Sequence, residues 1–346
     1  MGLIVLAADK GAPGVTTAAI AIAAVWPRPV LLAECDQAGG DLVYRLPAED
    51  GGMLNPARGM LSLAATARRG LRADQVWEHT QRLVGGLDVL VGLTNAEQAQ
   101  GLTWLWGPLG RAFAGLGAPA PYADGAAHPA NGTPPHGLTA NGTPPNGLTV
   151  NGAHPGAGAT PGAERPGNGT TPSGGFPVQG GPQGIAAAAP ALQTPVDVVA
   201  DCGRLGAGSA VTDLLREAST IVLFTRATLE QVAHLRERIN ALATELGGHA
   251  APPIGVVVVA DPREYRTAIT EVGRIISHAE LPASVLGGFA LDPKGAEMLR
   301  GRWGGRLDKS LLIRSARQIA GDLAARVAGG PEGREAQGAA SGSQSR

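Results

Sequence analysis

The chain has 346 residues and a formal net charge of −1, which excludes a global attraction to nucleic acid or anionic lipid and leaves only local patches for such partners. Its 52 glycines and 27 prolines exceed ordinary usage, so part of the chain is not expected to pack. Its two cysteines, Cys35 and Cys202, exclude a disulfide framework and suit a reducing compartment, so a cytoplasmic protein is expected.

Leu3–Ala8 is an uninterrupted apolar run without a basic segment before it, which argues against a secretory signal. Residues 9–14 break the run and Thr16–Val25 reads as a helix, giving strand, glycine-rich turn and buried helix. That apolar helix stops at Pro27, well short of a bilayer span, and no transmembrane segment is expected. Val30–Glu34 is a second strand, stopped by Cys35-Asp36 and the Gly39-Gly40 pair. Leu54–Arg69 and Ala73–Leu83 look helical, and Leu87–Val91 is a third strand. Asn95 caps a helix through Ala114, with Leu102, Leu105, Trp106 and Leu109 on one face. Trp104, Trp106 and Phe113 on that helix read as core, or as the base of a surface to which the insert or a partner docks.

From residue 117 to residue 193 the composition shifts to Gly, Pro and Asn. Ala130-Asn-Gly-Thr-Pro-Pro135 returns as Ala140-Asn-Gly-Thr-Pro-Pro145. Such a repeat offers no apolar face to offset its ordering entropy, so a disordered insert is expected. As a flexible tether it would span roughly 50 Å. The alternation then resumes. Strands are expected at Val196–Ala200, Ile221–Phe224, Ile254–Val259 and Val285–Phe289, and helices at Ser209–Glu217, Leu229–Leu246, Arg263–Ser277 and Lys309–Val327. Apolar strands alternating with helices argue for a doubly wound α/β fold, a mainly parallel sheet covered on both faces. Residues 1–116 and 194–328 are thus two halves of one domain, with 117–193 inserted in it and 329–346 a disordered tail.

The turn Lys10-Gly11-Ala12-Pro13-Gly14-Val15-Thr16-Thr17 lies between the first strand and the first helix. Backbone N–H groups of such a turn form a nest for phosphate oxygens, and a Thr at the helix start can ligate Mg²⁺. The segment resembles the deviant Walker A motif of the ParA/MinD family of P-loop ATPases. Val30–Asp36 with the following Gln37, and Val196–Asp201, resemble that family's second motif and its Walker B strand. The resemblance implies ATP with Mg²⁺ on residues 11–17. It gives Lys10 an in-trans catalytic role across a nucleotide-bound homodimer, places Thr16 and Asp201 on the metal, and gives Asp36 the attacking water. Glu34 holds the other acidic place of the second motif. Val15 departs from the pattern, standing where the family has its Walker lysine. Losing that charge-assisted contact costs roughly 1.5–3 kcal/mol.

Two functions follow from the resemblance. One is an ATP-dependent dimerising switch that positions chromosome, septum or secretion machinery, with a weak or partner-stimulated ATPase activity. The other is a scaffold or polar landmark that keeps the fold without hydrolysis. A dinucleotide-binding oxidoreductase is disfavoured because the loop lacks Gly-x-Gly-x-x-Gly. The cysteines read as small buried residues rather than metal ligands. Residues 294–317 carry Lys294, Arg300, Arg302, Arg306, Lys309, Arg314 and Arg317 against Glu297 and Asp308. This segment could meet nonspecific DNA or an anionic membrane surface, which would place the protein at the nucleoid or membrane periphery. A solvated arginine-rich face is the plainer reading. The apolar stripe Leu312, Ala316, Ile319, Leu323 and Val327 is expected to pack on the sheet rather than insert into lipid. An unidentified protein partner is also expected.

Overall fold

A computed structural model of the chain describes residues 2–11, 13–116, 195–206, 209–248, 251–300 and 306–329. The expected insert 117–193, all but Gly329 of the expected tail, and Ala12 and Arg302 lie outside the described residues.

Eight strands form one sheet: β1 (Leu3–Ala8), β2 (Val30–Glu34), β3 (Gln81–Arg82), β4 (Asp88–Leu90), β5 (Asp197–Arg204), β6 (Thr220–Thr225), β7 (Ile254–Ala260) and β8 (Ala283–Ala290). Their order is β3-β4-β2-β5-β1-β6-β7-β8, parallel except for the β3–β4 pair. β5, from the second half of the sequence, lies between β1 and β2 from the first, so the two halves share one sheet.

The unbroken apolar character of β1 follows from double burial, since successive side chains point to opposite faces. Leu3, Val5 and Ala7 join a core layer with α3 (Met60–Ala67), α5 (Trp106–Leu116), α6 (Thr212–Arg216), α7 (Leu229–Glu245) and α8 (Tyr265–His278). Ile4, Leu6 and Ala8 join the opposite layer with α1 (Val15–Ala24), α2 (Leu42–Arg45) and α10 (Leu311–Ala328). The expected stripe on α10 is buried there at Leu312, Ala316, Ile319 and Leu323, with Val327 packed at its edge.

Several elements differ from the sequence expectation. The expected helix from Asn95 is broken into α4 (Ala96–Gly101), a 3₁₀ turn at Thr103–Leu105 and α5. The break turns Trp104 outward, 41% exposed, whereas Trp106 and Phe113 are core. Residues 73–79 wind as 3₁₀ rather than α-helix and lead into β3, which pairs antiparallel with β4. The short α2 and α9 (Pro293–Leu299) were not anticipated. The Asn95 cap is as expected, its Oδ1 accepting from Gln98 N at 2.9 Å. Replacing Asn95 by Ala should cost about 1 kcal/mol in a denaturant titration, because one orphan helix N–H loses its partner. An unchanged midpoint would mean that water replaces the cap. No helix among the described residues is long and apolar enough to cross a membrane.

Candidate functional site

The site lies at the carboxyl ends of β1, β2 and β5, where a parallel sheet opens a crevice. β1 ends at Ala8, and the loop that follows reaches α1 through Gly14, whose left-handed backbone (φ 91°, ψ 39°) caps the helix. A side chain would strain that conformation, so glycine is the residue the turn requires. Thr16 and Thr17 are half-buried in the first turn of α1.

β5 carries Asp201 into the same crevice. Its Oδ1 accepts from Gly203 N at 3.0 Å, and the Thr16 hydroxyl donates to the same carboxyl. Burial pushes Asp201 up to about 7. Thr16 and the Gly203 N–H oppose that shift, while Asp36 and Glu34 reinforce it. The buried carboxyl thus has acids for charged neighbours. Asp201 and Thr16 offer hard oxygen donors in contact with each other, a donor chemistry that fits a divalent cation such as Mg²⁺.

A register shift follows directly. Leu6 pairs with Asp201 but Ala8 with Arg204, so β5 bulges at Cys202-Gly203. Gly203 has φ +55°, and a Cβ there would fall 1.9 Å from Asp36 Oδ2. Only glycine lets the β5 backbone approach the Asp36 carboxylate this closely. Asp36 is fixed by Ala38 N, which donates to its Oδ1 at 2.8 Å. Burial raises its carboxyl above the usual range, with Asp41 adding to the shift and Arg204 opposing it.

The two acidic places of the second motif separate in role. Glu34 is buried, with Asp41 N and Leu42 N donating to Oε1 at 2.6 and 2.9 Å and Gly92 N donating to Oε2 at 2.9 Å. It staples the loop after β2 to the chain after β4 and has no oxygen turned to the crevice unpaired. Asp36 is the acid left at the crevice. Cys35, just past the end of β2, and Cys202 on β5 are buried side by side, and burial raises the Cys35 thiol well above its ordinary value.

Val15 is 6% exposed and packs in the apolar layer with α1. Lys10 is exposed, its Nζ donating to His234 Nε2 on α7 at 3.0 Å. Asp9, just before it, is clamped by Arg238 Nε at 2.5 Å, and Arg238 also donates to the backbone carbonyls of Leu205 and Gly206. The structure therefore brings Thr16, Asp36 and Asp201 together, while Lys10 leans away onto its own α7. Sequence reading missed Gly203, His234 and Arg238, because their roles arise from a bulge and from contacts with a distant helix.

The basic segment is more paired than its composition suggests. Arg300 binds Glu297 at 3.2 Å and Arg306 lies 3.7 Å from Asp308, whereas Lys294, Lys309, Arg314 and Arg317 are exposed.

No family model and no curated protein matches the chain. Solved structures do. A ParA family ATPase from Chlorobium tepidum TLS is 13% identical, covering 93% of this chain and 98% of that one at a TM-score of 0.57. The Pyrococcus furiosus cell division ATPase MinD is 14% identical, covering 94% and 99% at a TM-score of 0.54. The septum site-determining protein MinD of Pyrococcus horikoshii OT3, complexed with Mg-ADP, is 12% identical, covering 93% and 95% at a TM-score of 0.50. At identities this low the likeness is one of fold, and the fold is that of the ParA/MinD-type P-loop ATPases.

Proposed function

We propose that the chain is an ATP-binding switch whose nucleotide-bound form dimerises to position cargo inside the cell. The observation that carries this reading is the convergence of the loop after β1, Thr16, Asp36 and Asp201 at one end of the sheet. On this reading the loop N–H groups hold phosphate and the hydrogen-bonded pair Thr16–Asp201 holds the cation. Mg²⁺, when bound, neutralises phosphate charge. Asp36 holds a water by accepting its proton through a carboxylate already oriented by Ala38 N. The MinD of Pyrococcus horikoshii, solved with Mg-ADP on this fold, supports the choice of cofactor.

In a single chain Lys10 is held by His234. Reaching a partner's phosphates requires that contact to open, an exposed hydrogen bond that costs about 1 kcal/mol or less to release. Sedimentation velocity with ATP and Mg²⁺ tests the switch. The wild type should shift to dimer, and Lys10→Ala should stay monomeric with an unchanged melt. Equal behaviour of the two proteins would remove the in-trans role.

A second reading has its own observation. Val15 is packed in the apolar layer and supplies no ammonium for the phosphates. This favours slow or partner-stimulated hydrolysis, or a scaffold that binds nucleotide and does not turn it over. A single-turnover hydrolysis assay separates the two. The exposed cations Lys294, Lys309, Arg314 and Arg317 are the groups through which such a dimer would meet DNA or an anionic membrane.

A further inference from the structure

α7 grips the loop after β1 with one stripe of side chains, Gln231, His234 and Arg238, which follow one another at three- and four-residue steps on a single helix face. Each meets a different loop residue. Gln231 lies over Gly11, its Nε2 3.2 Å from where a Cβ would stand, and its Oε1 accepts from Arg226 N at 3.1 Å. His234 Nε2 accepts from Lys10 Nζ at 3.0 Å, and Arg238 holds Asp9.

The last two grips differ in how readily they open. The side chains of Arg238 and Asp9 are 12% and 15% exposed, and Arg238 is bound to two backbone carbonyls besides. The contact beside it is at the surface. Lys10 is exposed, the imidazole is 43% exposed, and this is the one hydrogen bond of Lys10 Nζ among the described residues.

An ammonium only donates, so Nε2 is the bare nitrogen of the ring and Nδ1 carries the proton. Nδ1 lies 3.9 Å from Asp9 Oδ2. The other charged groups near the ring are on α7 itself: Glu230 and Arg238 one turn to either side, and Glu237, which is turned to Arg236. A second proton, taken from solvent onto Nε2, removes the acceptor that Lys10 uses. It also sets an imidazolium beside the ammonium, while Asp9 gives the charged ring an ion-pair partner on its other side. Histidine is the side chain suited to that change near neutral pH.

We propose that His234 is a positioning residue for Lys10. Neutral, it latches the lysine onto α7 of its own chain; protonated, it turns to Asp9 and frees Lys10 for a second copy. The inference rests on the in-trans role given to Lys10 above. A dimer opens two latches, so a contact worth about threefold in each chain counts about tenfold in the dimer dissociation constant.

Sedimentation equilibrium of the full chain with ATP and Mg²⁺, at pH 8 and pH 5.5, tests this on wild type, His234→Ala and His234→Gln. The glutamine amide oxygen serves as acceptor at either pH. At pH 8 His234→Ala should dimerise about tenfold more tightly than wild type, and His234→Gln like wild type. At pH 5.5 wild type should approach His234→Ala and leave His234→Gln behind. Titration of the nucleotide and of Asp201 is common to the three proteins and cancels in these ratios. Equal dimerisation by all three, or ratios that do not change with pH, would overturn the latch. Ring ¹⁵N shifts of His234 in the nucleotide-free chain separate its failure from that of the switch. They should report the Nδ1–H form at pH 8 and respond to Lys10→Ala. That response without a dimer in any protein would refute the in-trans reading while confirming the hold on Lys10, and no response would refute the latch alone.

Discussion

Asp201→Asn is expected to melt roughly 10 °C above the wild type at pH 8 and to show almost no gain at pH 4. The cause is burial, which holds the folded-state carboxyl at about 7 even though Thr16 and Gly203 N stabilise its charge. In the unfolded chain the same group ionises near the ordinary carboxylate value. Between these two values the folded state binds more protons than the unfolded state, so stability falls as pH rises from about 4 to about 7 and is level above. At 1.36 kcal/mol per pKa unit the total is about 4 kcal/mol, and an asparagine, which carries no charge to desolvate, is spared it. On the proposed function the gain comes at the expense of activity, because the variant lacks the carboxylate proposed to hold Mg²⁺ and should lose the Mg²⁺-dependent part of nucleotide affinity. Thermal melts at a series of pH values, with and without Mg-ATP, measure both effects. A melting difference independent of pH would mean that ionising Asp201 is not a cost to the fold.

Val15→Lys is the second large expected effect, and it pulls affinity and stability in opposite directions. Val15 is packed in the apolar layer at the first turn of α1, next to the positive end of the helix dipole. Placing an ammonium there empties part of that layer and adds a charge at the unfavourable helix end, a loss of about 1–3 kcal/mol without ligand. With ATP bound, a lysine that leaves the layer for the phosphates regains a charge-assisted contact of roughly 1.5–3 kcal/mol. Affinity or turnover should therefore rise about tenfold to a hundredfold, while the apo melt falls. Calorimetry and paired melts read the two terms separately. Unchanged affinity in a folded variant would show that this position does not face phosphate.

The fold was legible because double burial leaves a coarse mark. Strands such as Ile254–Ala260 carry no polar residue, and only a parallel sheet covered on both faces demands that. The acids on β2 and β5 were legible for a related reason, since an acid stands out against an apolar strand, although β5 does not end at Asp201 but runs on through Arg204. What the sequence hid was the count of buried donors around each acid. Glu34 and Asp36 look equivalent two residues apart, yet three backbone N–H groups close on Glu34 and leave Asp36 at the crevice. The bulge at Gly203 and the contact of Lys10 with His234 are set by partners far away in the chain, and no local pattern announces them. Trp104 was misplaced because a 3₁₀ turn interrupts the helical period that its assignment to the core assumed. The β3–β4 hairpin escaped because two-residue strands are too short to show alternation.

The central claim is that the crevice at β1, β2 and β5 holds a magnesium–nucleotide complex despite Val15. Calorimetric titration of ATP with Mg²⁺ into the full chain, with Asp201→Asn as the folded control, tests it most directly. Micromolar binding that is lost in the control is the expected result, with Thr16, Asp201 and the loop N–H groups making up for the missing lysine. Absence of binding up to millimolar ATP, in a protein that melts cooperatively, would contradict it and leave the fold without its nucleotide.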